Sequence, residues 1–320
     1  MFKCLRSILL LSGGLLAGCN NPENPASAPA DPGSRSFRIG VVLPTFAHPF
    51  FIAQKAGLEA AAREQPRISL EVRDGKDDDR TQIEQVESLL TLGVDLIILV
   101  PRDQEAVRRA VDSAENAGVP VIALNRRVAH GTVVCYVGAD DIQAGRMQAQ
   151  ALMDAVEDRP CKVLYLQGTQ GSSPQIQRSE GFKQAIANQP NIQIVEERYC
   201  DFQADKTKSD LALLAQRIKP GDIQAIVAQN DEMAIPAAEV ARSEGWNDVV
   251  VIGCDGTKQA FDAIRAGTMN ATVLQDAAEQ GRIAFQAADS FLREQPIEKE
   301  IITPLPIITR QSIDAHAPSY

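Results

Sequence analysis

Aromatic residues supply only 5% of this 320-residue chain, with a single tryptophan. Cysteine occurs six times, but no two cysteines stand in a CxxC pair and no Cys/His cluster has metal-ligand spacing, so a bound metal is not expected. A nucleophile elbow and a Gly-rich phosphate loop are also missing. No internal stretch reaches the ~20 apolar residues that a membrane span needs. Basic excess is lacking too. The net charge is −10 and the isoelectric point lies near 4.9. Nucleic acid is therefore excluded as a partner, because binding phosphate requires a basic face. What is present is ordinary globular material, 44% apolar and 23% charged, long enough for one large or two medium domains.

The first residues differ from the rest. Lys3 and Arg6 precede an apolar run from Ile8 to Leu16, broken by Ser12, Gly13 and Gly14, and then comes Leu16-Ala17-Gly18-Cys19. The run is too short to span a membrane and has the layout of a signal peptide. Small residues before a cysteine resemble the bacterial lipobox; the alternative is a buried helix with a chance Cys. Asn20 to Ser36 is rich in Pro, Ala, Ser and Asn and reads as a flexible tether. The expectation is a signal peptide over 1–18 and a tether over 19–36. Lipid on Cys19 would anchor the chain to the membrane surface without spanning it, in the periplasm or on the outer cell face. An exported location permits disulfides. Of the internal cysteines, Cys135, Cys161 and Cys254 lie in apolar runs and read as small buried hydrophobes, whereas Cys200 does not.

Beyond residue 37 the pattern alternates. Runs rich in β-branched residues occur at 39–43, 68–73, 96–100, 119–124 and 133–137, and again at 162–166, 192–196, 225–228, 249–252 and 271–274. Between them lie amphipathic stretches with helical period at 82–92, 102–117 and 142–156. Near-continuous apolar strands separated by such helices predict an α/β fold with parallel sheets covered on both faces. The two series resemble each other. In one, a strand, the polar pair Arg102-Asp103, an Ala-rich helix and a second strand lead to Asn125-Arg126. In the other, the pair is Asn230-Asp231 and the lead is to Asp255-Gly256. The reading is two doubly wound parallel-sheet lobes with a ligand cleft between them.

In such sheets ligands sit beyond the carboxyl ends of the strands, and facing lobes make a cleft. The segments just after each strand are therefore the candidates. They carry amides, carboxylates, arginines and Phe: His48, Phe50, Phe51, Asn125, Arg126, Arg178, Phe202, Asn230, Asp255 and Gln275. Amides, Asp and Arg suit paired hydroxyls, and Phe covers the apolar C–H face of a ring. That chemistry fits a neutral polyhydroxyl ligand. Several of these residues also have structural readings. Phe50 and Phe51 could staple a helix start. Asp231 is expected to cap the helix that follows, leaving Asn230 to bind. Asp255-Gly256 could be a turn, and Arg178 a solvated helix residue. His48 either bonds ligand or orders its loop. Asp77-Asp78-Asp79 reads as a solvated loop and helix start.

From residue 37 to about 310 the chain resembles the periplasmic sugar-binding proteins of the ribose-binding type. The resemblance is carried by Pro49-Phe50-Phe51, Val119-Pro120-Val121-Ile122 before Asn125-Arg126, Arg178-Ser179-Glu180-Gly181-Phe182, Ala228-Gln229-Asn230-Asp231-Glu232-Met233-Ala234, Gly253-Cys254-Asp255-Gly256-Thr257, and Ala271-Thr272 with Gln275. It implies lobes joined by a three-segment hinge, with 37–138 plus 276–304 in one lobe and 139–275 plus 305–320 in the other. It also implies that the ten residues above contact a small sugar, with Phe51 and Phe202 on its ring faces and Arg126, Arg178, Asn230, Asp255 and Gln275 on its oxygens. Implied as well are no cofactor, a monomer, and delivery to the membrane permease of an ABC transporter. Two positions depart from the family pattern: His48 and Asn125 replace an Asn and an Asp, which puts ribose itself in doubt and leaves other pentoses, hexoses and polyols open. A sensing component for chemotaxis would share the fold. A sugar-repressor regulator would need an N-terminal helix-turn-helix where the leader stands. An enzyme would need a carboxylate pair or nucleophile at informative spacing.

Overall fold

The computed structural model describes residues 35–246 and 248–320; the leader, most of the tether and Cys19 lie outside the described residues. Residues 36–320 form one compact unit. Its first sheet uses β1 (Phe37–Leu43), β2 (Ile68–Asp74), β3 (Leu96–Leu99), β4 (Val121–Leu124), β5 (Cys135–Gly138) and the late β11 (Glu300–Ile302). The second uses β6 (Cys161–Gln167), β7 (Ile192–Tyr199), β8 (Ala225–Ala228), β9 (Val250–Asp255), β10 (Ala271–Leu274) and β12 (Ile307–Thr309). The strand orders are β11-β5-β4-β3-β1-β2 and β12-β10-β9-β8-β6-β7. Each sheet thus repeats the same doubly wound path, and all strands pair in parallel except β12, which runs antiparallel to β10.

Burial explains the continuous apolar strands. In β1 and β3, Ile39, Val41, Leu43, Leu96 and Ile98 enter one core, while Val42, Ile97 and Leu99 enter the core on the opposite face. In β8, Ala225 and Val227 pack on one side and Ile226 and Ala228 on the other. Successive side chains point to opposite faces, so a strand covered on both faces must be apolar throughout.

Helices α1 (Pro49–Arg63), α2 (Asp79–Leu92), α3 (Arg108–Asn116), α4 (Asp141–Val156), α5 (Ser173–Ile186), α6 (Ala204–Leu214), α7 (Asp231–Ser243), α8 (Lys258–Ala266) and α9 (Ala277–Leu292) supply the cover. Two helix pairs cross on glycine. A Cβ on Gly57 would lie 1.9 Å from Ala278 O and one on Gly281 2.1 Å from Gln54 O, which locks α1 to α9. The same device locks α4 to α5, where Gly145 and Gly181 leave no room beside Arg178 O and Ile142 O. The backbone of the residue that presents Arg178 to the cleft is therefore set by this crossing.

The helix expected at 102–117 begins only at Arg108. Asp103 accepts from Glu105 N and Ala106 N, so its side chain organises a separate turn ahead of the helix. The acidic run is less solvated than its composition suggests: Asp78 caps α2, and Asp77 and Asp79 both pair with Arg102 at 3.2 and 3.0 Å. Cys135, Cys161, Cys200 and Cys254 are all free thiols and all buried. Burial pushes the first three up to about 11, which keeps them as inert thiols. Among the described residues no helix is long and apolar enough to cross a membrane.

Candidate functional site

The ten expected residues meet in one pocket, joined by Pro174. It holds about 290 Å³ of non-protein space, open solvent at its mouth included. Each side chain stands at or just beyond the C-terminal end of a parallel strand or in the helix that follows. His48, Phe50 and Phe51 open α1 after β1. Asn125 and Arg126 follow β4, Phe202 follows β7, and Asn230 follows β8. Asp255 ends β9 and Gln275 follows β10.

Backbone strain concentrates here. Asn125, Asp201, Phe202 and Asp255 adopt φ of +60, +55, +61 and +119°. Asn and Asp tolerate the left-handed angles near +60°, whereas +119° at Asp255 lies beyond that region, and for Phe the left-handed region costs on the order of 1–2 kcal/mol. The Phe202 ring covers Gly168, where an added Cβ would lie 1.9 Å from the ring. Glycine at 168 thus lets the strained aromatic sit flat at the cleft.

Arg126 is sandwiched between lobes. Its guanidinium lies 5.1 Å from the Phe51 ring and 5.6 Å from the Phe202 ring, within cation–π range. Its Nη1 donates to Pro101 O and Arg102 O, whereas its buried Nε has no partner. Burial lowers its pKa to about 10, so it remains a cation at neutral pH. The unpaired Nε–H is a donor ready for a ligand oxygen. Arg178 is only 3% exposed, contrary to a solvated helix position. It donates to Asp141 Oδ1 at 2.8 Å and to Gln229 O, and lies 3.8 Å from Asp255 Oδ1.

His48 spans the cleft. It caps α1, its Nδ1 accepting from Phe50 N at 3.2 Å, so the ring proton sits on Nε2 and is donated to Phe202 O at 3.2 Å. Burial lowers its pKa, against the pull of Asp255. The capping expectation at 230–231 is reversed. Asn230 is the cap, its Oδ1 accepting from Met233 N, while its Nδ2 donates to Glu232 Oε2 at 2.9 Å. Asp231, fully buried, accepts from Thr257 N and Thr272 Oγ1 and so fastens the loop after β9. Asn230 came out as the cap because its extended backbone places the side chain over the open amides of α7.

A polar chain runs from the site into the hinge. Gln275 Nε2 donates to Asp255 Oδ1 at 2.6 Å, and Gln280 Nε2 donates to Gln275 Oε1 and Thr303 Oγ1. Gln280 Oε1 accepts from Asn125 and Gln54. All six residues are buried. Burial first, and the nearby Glu232 second, raise Asp255 to about 7. Asp141, Gln280, Glu232 and Tyr320 were not singled out from sequence as functional. Asp141 follows directly on a lobe crossing, a signal that could have found it; Tyr320 lies 65 residues from Asp255 and no local pattern points to it.

Comparison with known proteins gives a consistent result. Residues 39–296 match the family model described as periplasmic binding protein domain. The ribose import binding protein of Bacillus subtilis is 35% identical over 97% of this chain and 100% of its own length. A solute-binding protein of an ABC transporter from Mycobacterium smegmatis, solved with bound glycerol, superposes with a TM-score of 0.83 at 30% identity, covering 88% of this chain and 96% of the other. One from Bacillus halodurans, solved with bound myo-inositol, gives 0.82 at 26% identity over 88% and 97%.

Proposed function

The chain belongs to the periplasmic binding protein family, in its ribose-binding branch, and we propose from that premise that it captures a small sugar or polyol outside the cytoplasm and hands it to an ABC transporter permease. The observation that carries the ligand class is the donor and acceptor set of the pocket: the unpaired Arg126 Nε, the Asp255 carboxyl group and the amides of Asn125 and Gln275, bracketed by Phe51 and Phe202. Such a set satisfies several hydroxyls at once while aromatic faces cover a ring. The named relative is a ribose import binding protein, and solved neighbours hold glycerol and myo-inositol, which supports a polyhydroxyl ligand.

Capture works by hinge closure in this reading. Ligand on one lobe recruits the other, because only the approached lobes satisfy both sets of hydrogen bonds. The crossings near 138, 275 and 305 form the hinge between 37–138 plus 276–304 and 139–275 plus 305–320. Asn125 in place of a carboxylate favours a ligand with fewer donor pairs at that point than ribose offers. No chemical step follows capture. We further propose that Cys19 carries the lipid anchor and that the protein acts as a monomer.

A thermal-shift screen of the protein against pentoses, hexoses and polyols at millimolar concentration tests the proposal. A ligand at a hundredfold excess over its dissociation constant stabilises by ~2.7 kcal/mol. One clear shift, absent in Asp255→Ala and Arg178→Ala, supports the reading. No shift with any of these ligands would contradict the ligand class.

A further inference from the structure

Behind the pocket lies a second crevice, about 630 Å³ of non-protein space with its open mouth included, between Pro49 of one lobe and α6, α7 and the start of α8 of the other. Its walls combine the apolar Pro49, Ile235 and Pro236 with Lys208 and Glu239, which pair at 3.1 Å. Tyr320 forms the layer behind Phe50 and Asp255 of the pocket and does not itself line it. It lines the crevice, and it touches two pocket residues from behind. Its ring meets Phe50 edge-on, with centroids 6.0 Å apart, and its hydroxyl lies 3.4 Å from Asp255 Oδ2.

The ring is held from both lobes. Lys258 N donates to Tyr320 O at 2.7 Å and Ser319 N to Gly256 O at 2.8 Å, which fixes the segment to the loop after β9. Ala277 N, opening α9, donates to Ser319 Oγ at 3.0 Å, and the Tyr320 ring packs on the core that contains Phe50 and Phe285. The hydroxyl donates to Glu232 Oε1 at 2.8 Å, and Asn230 satisfies the other Glu232 oxygen. A phenol has one proton to give. Glu232 takes it at the shorter distance, so Asp255 Oδ2 is left as the acceptor for ligand.

We propose that Tyr320 is a specificity-determining residue: its ring walls the sugar pocket off from the crevice and so excludes sugars carrying a substituent, while its hydroxyl holds Glu232 aside. This rests on the reading of the pocket as a sugar site. Without the ring the crevice reaches the back of Phe50 and Asp255, and a small shift of Phe50 gives the pocket room for an apolar aglycone running between Pro49 and Ile235.

Calorimetry with D-ribose and its phenyl glycoside as probes compares the unaltered protein with Tyr320→Phe and Tyr320→Ala. Tyr320→Phe keeps the wall, so the preference for the free sugar stays within about threefold. Tyr320→Ala moves the ratio of affinities toward the glycoside by tenfold or more. An unchanged ratio in a folded Tyr320→Ala overturns the proposal. If the unaltered protein takes neither probe, the sugar reading has failed for ribose, and the wall is judged without ligand. The crystal structure of Tyr320→Ala then shows one continuous void from Asp255 to Lys208, and collapse of Phe50 or of segment 316–320 into the vacated space overturns the proposal.

Discussion

Asp255 and His48 face each other across the cleft with opposite responses to protons. Asp255 is raised to about 7, by burial first and then by Glu232. In the unfolded chain a carboxyl loses its proton near 3.8, so the ligand-free fold loses stability as pH climbs from about 4 to 7. Asp255→Asn is expected to flatten that slope in thermal melts while weakening ligand binding by roughly tenfold to a hundredfold, the range for a hydrogen bond to a charged group. His48 runs the other way. Its lowered pKa means that the fold prefers the neutral ring. Its contribution is complete above about pH 6.5 and is lost as pH falls below that value. His48→Asn keeps a capping acceptor and removes the loss below pH 6.5, leaving the gain from Asp255 unopposed, so its stability should rise relative to that of the unaltered protein as pH falls from 6.5 to 5; a parallel pH profile would contradict this role. Both residues were legible in the sequence, because strand ends in a doubly wound sheet are where ligands go. The partners that set their protonation were not. Glu232 looks like the second residue of a helix, and Tyr320 reaches Asp255 only through the tertiary path of the chain.

The helix crossings and the hinge network carry their own predictions. Gly181→Val places carbon atoms where Ile142 O stands, so α4 and α5 must separate. Overpacking of this kind costs ~1–3 kcal/mol or more, and urea unfolding should report it together with lost ligand affinity, since Arg178 rides on α5. Gln280→Leu removes the side chain that joins Gln275, Thr303, Asn125 and Gln54. Ligand affinity should fall about tenfold, and the open population should rise in inter-lobe distance measurements; an unchanged open population would reduce Gln280 to a packing residue. Most strands were visible in the sequence as β-branched runs, because burial on both faces forces them to be apolar throughout. The start of α3 was misplaced, since helical periodicity cannot show that the Asp103 side chain takes the first amides for a turn. Strands β11 and β12 have three residues each, too few for any periodicity to register.

As a whole, the molecule is two copies of one sheet path facing each other across a cleft whose walls hold buried charge. Arg126, Arg178, Asp141, Asp231 and Asp255 are all at most 5% exposed. Charges taken out of water are costly unless paired and fully hydrogen-bonded, and Arg126 Nε and Asp141 Oδ2 are buried without a partner. Opening the cleft rehydrates those that line the pocket, Arg126, Arg178 and Asp255, and a ligand rich in hydroxyls can satisfy them in the closed form. Ligand therefore shifts the population toward closure by its differential affinity for that form. Small-angle scattering on the protein with and without the sugar found in the thermal-shift screen tests this most directly. The account predicts a smaller radius of gyration with ligand, and no such contraction for Asp255→Ala at the same ligand concentration. An identical scattering profile with and without bound sugar would contradict capture by closure.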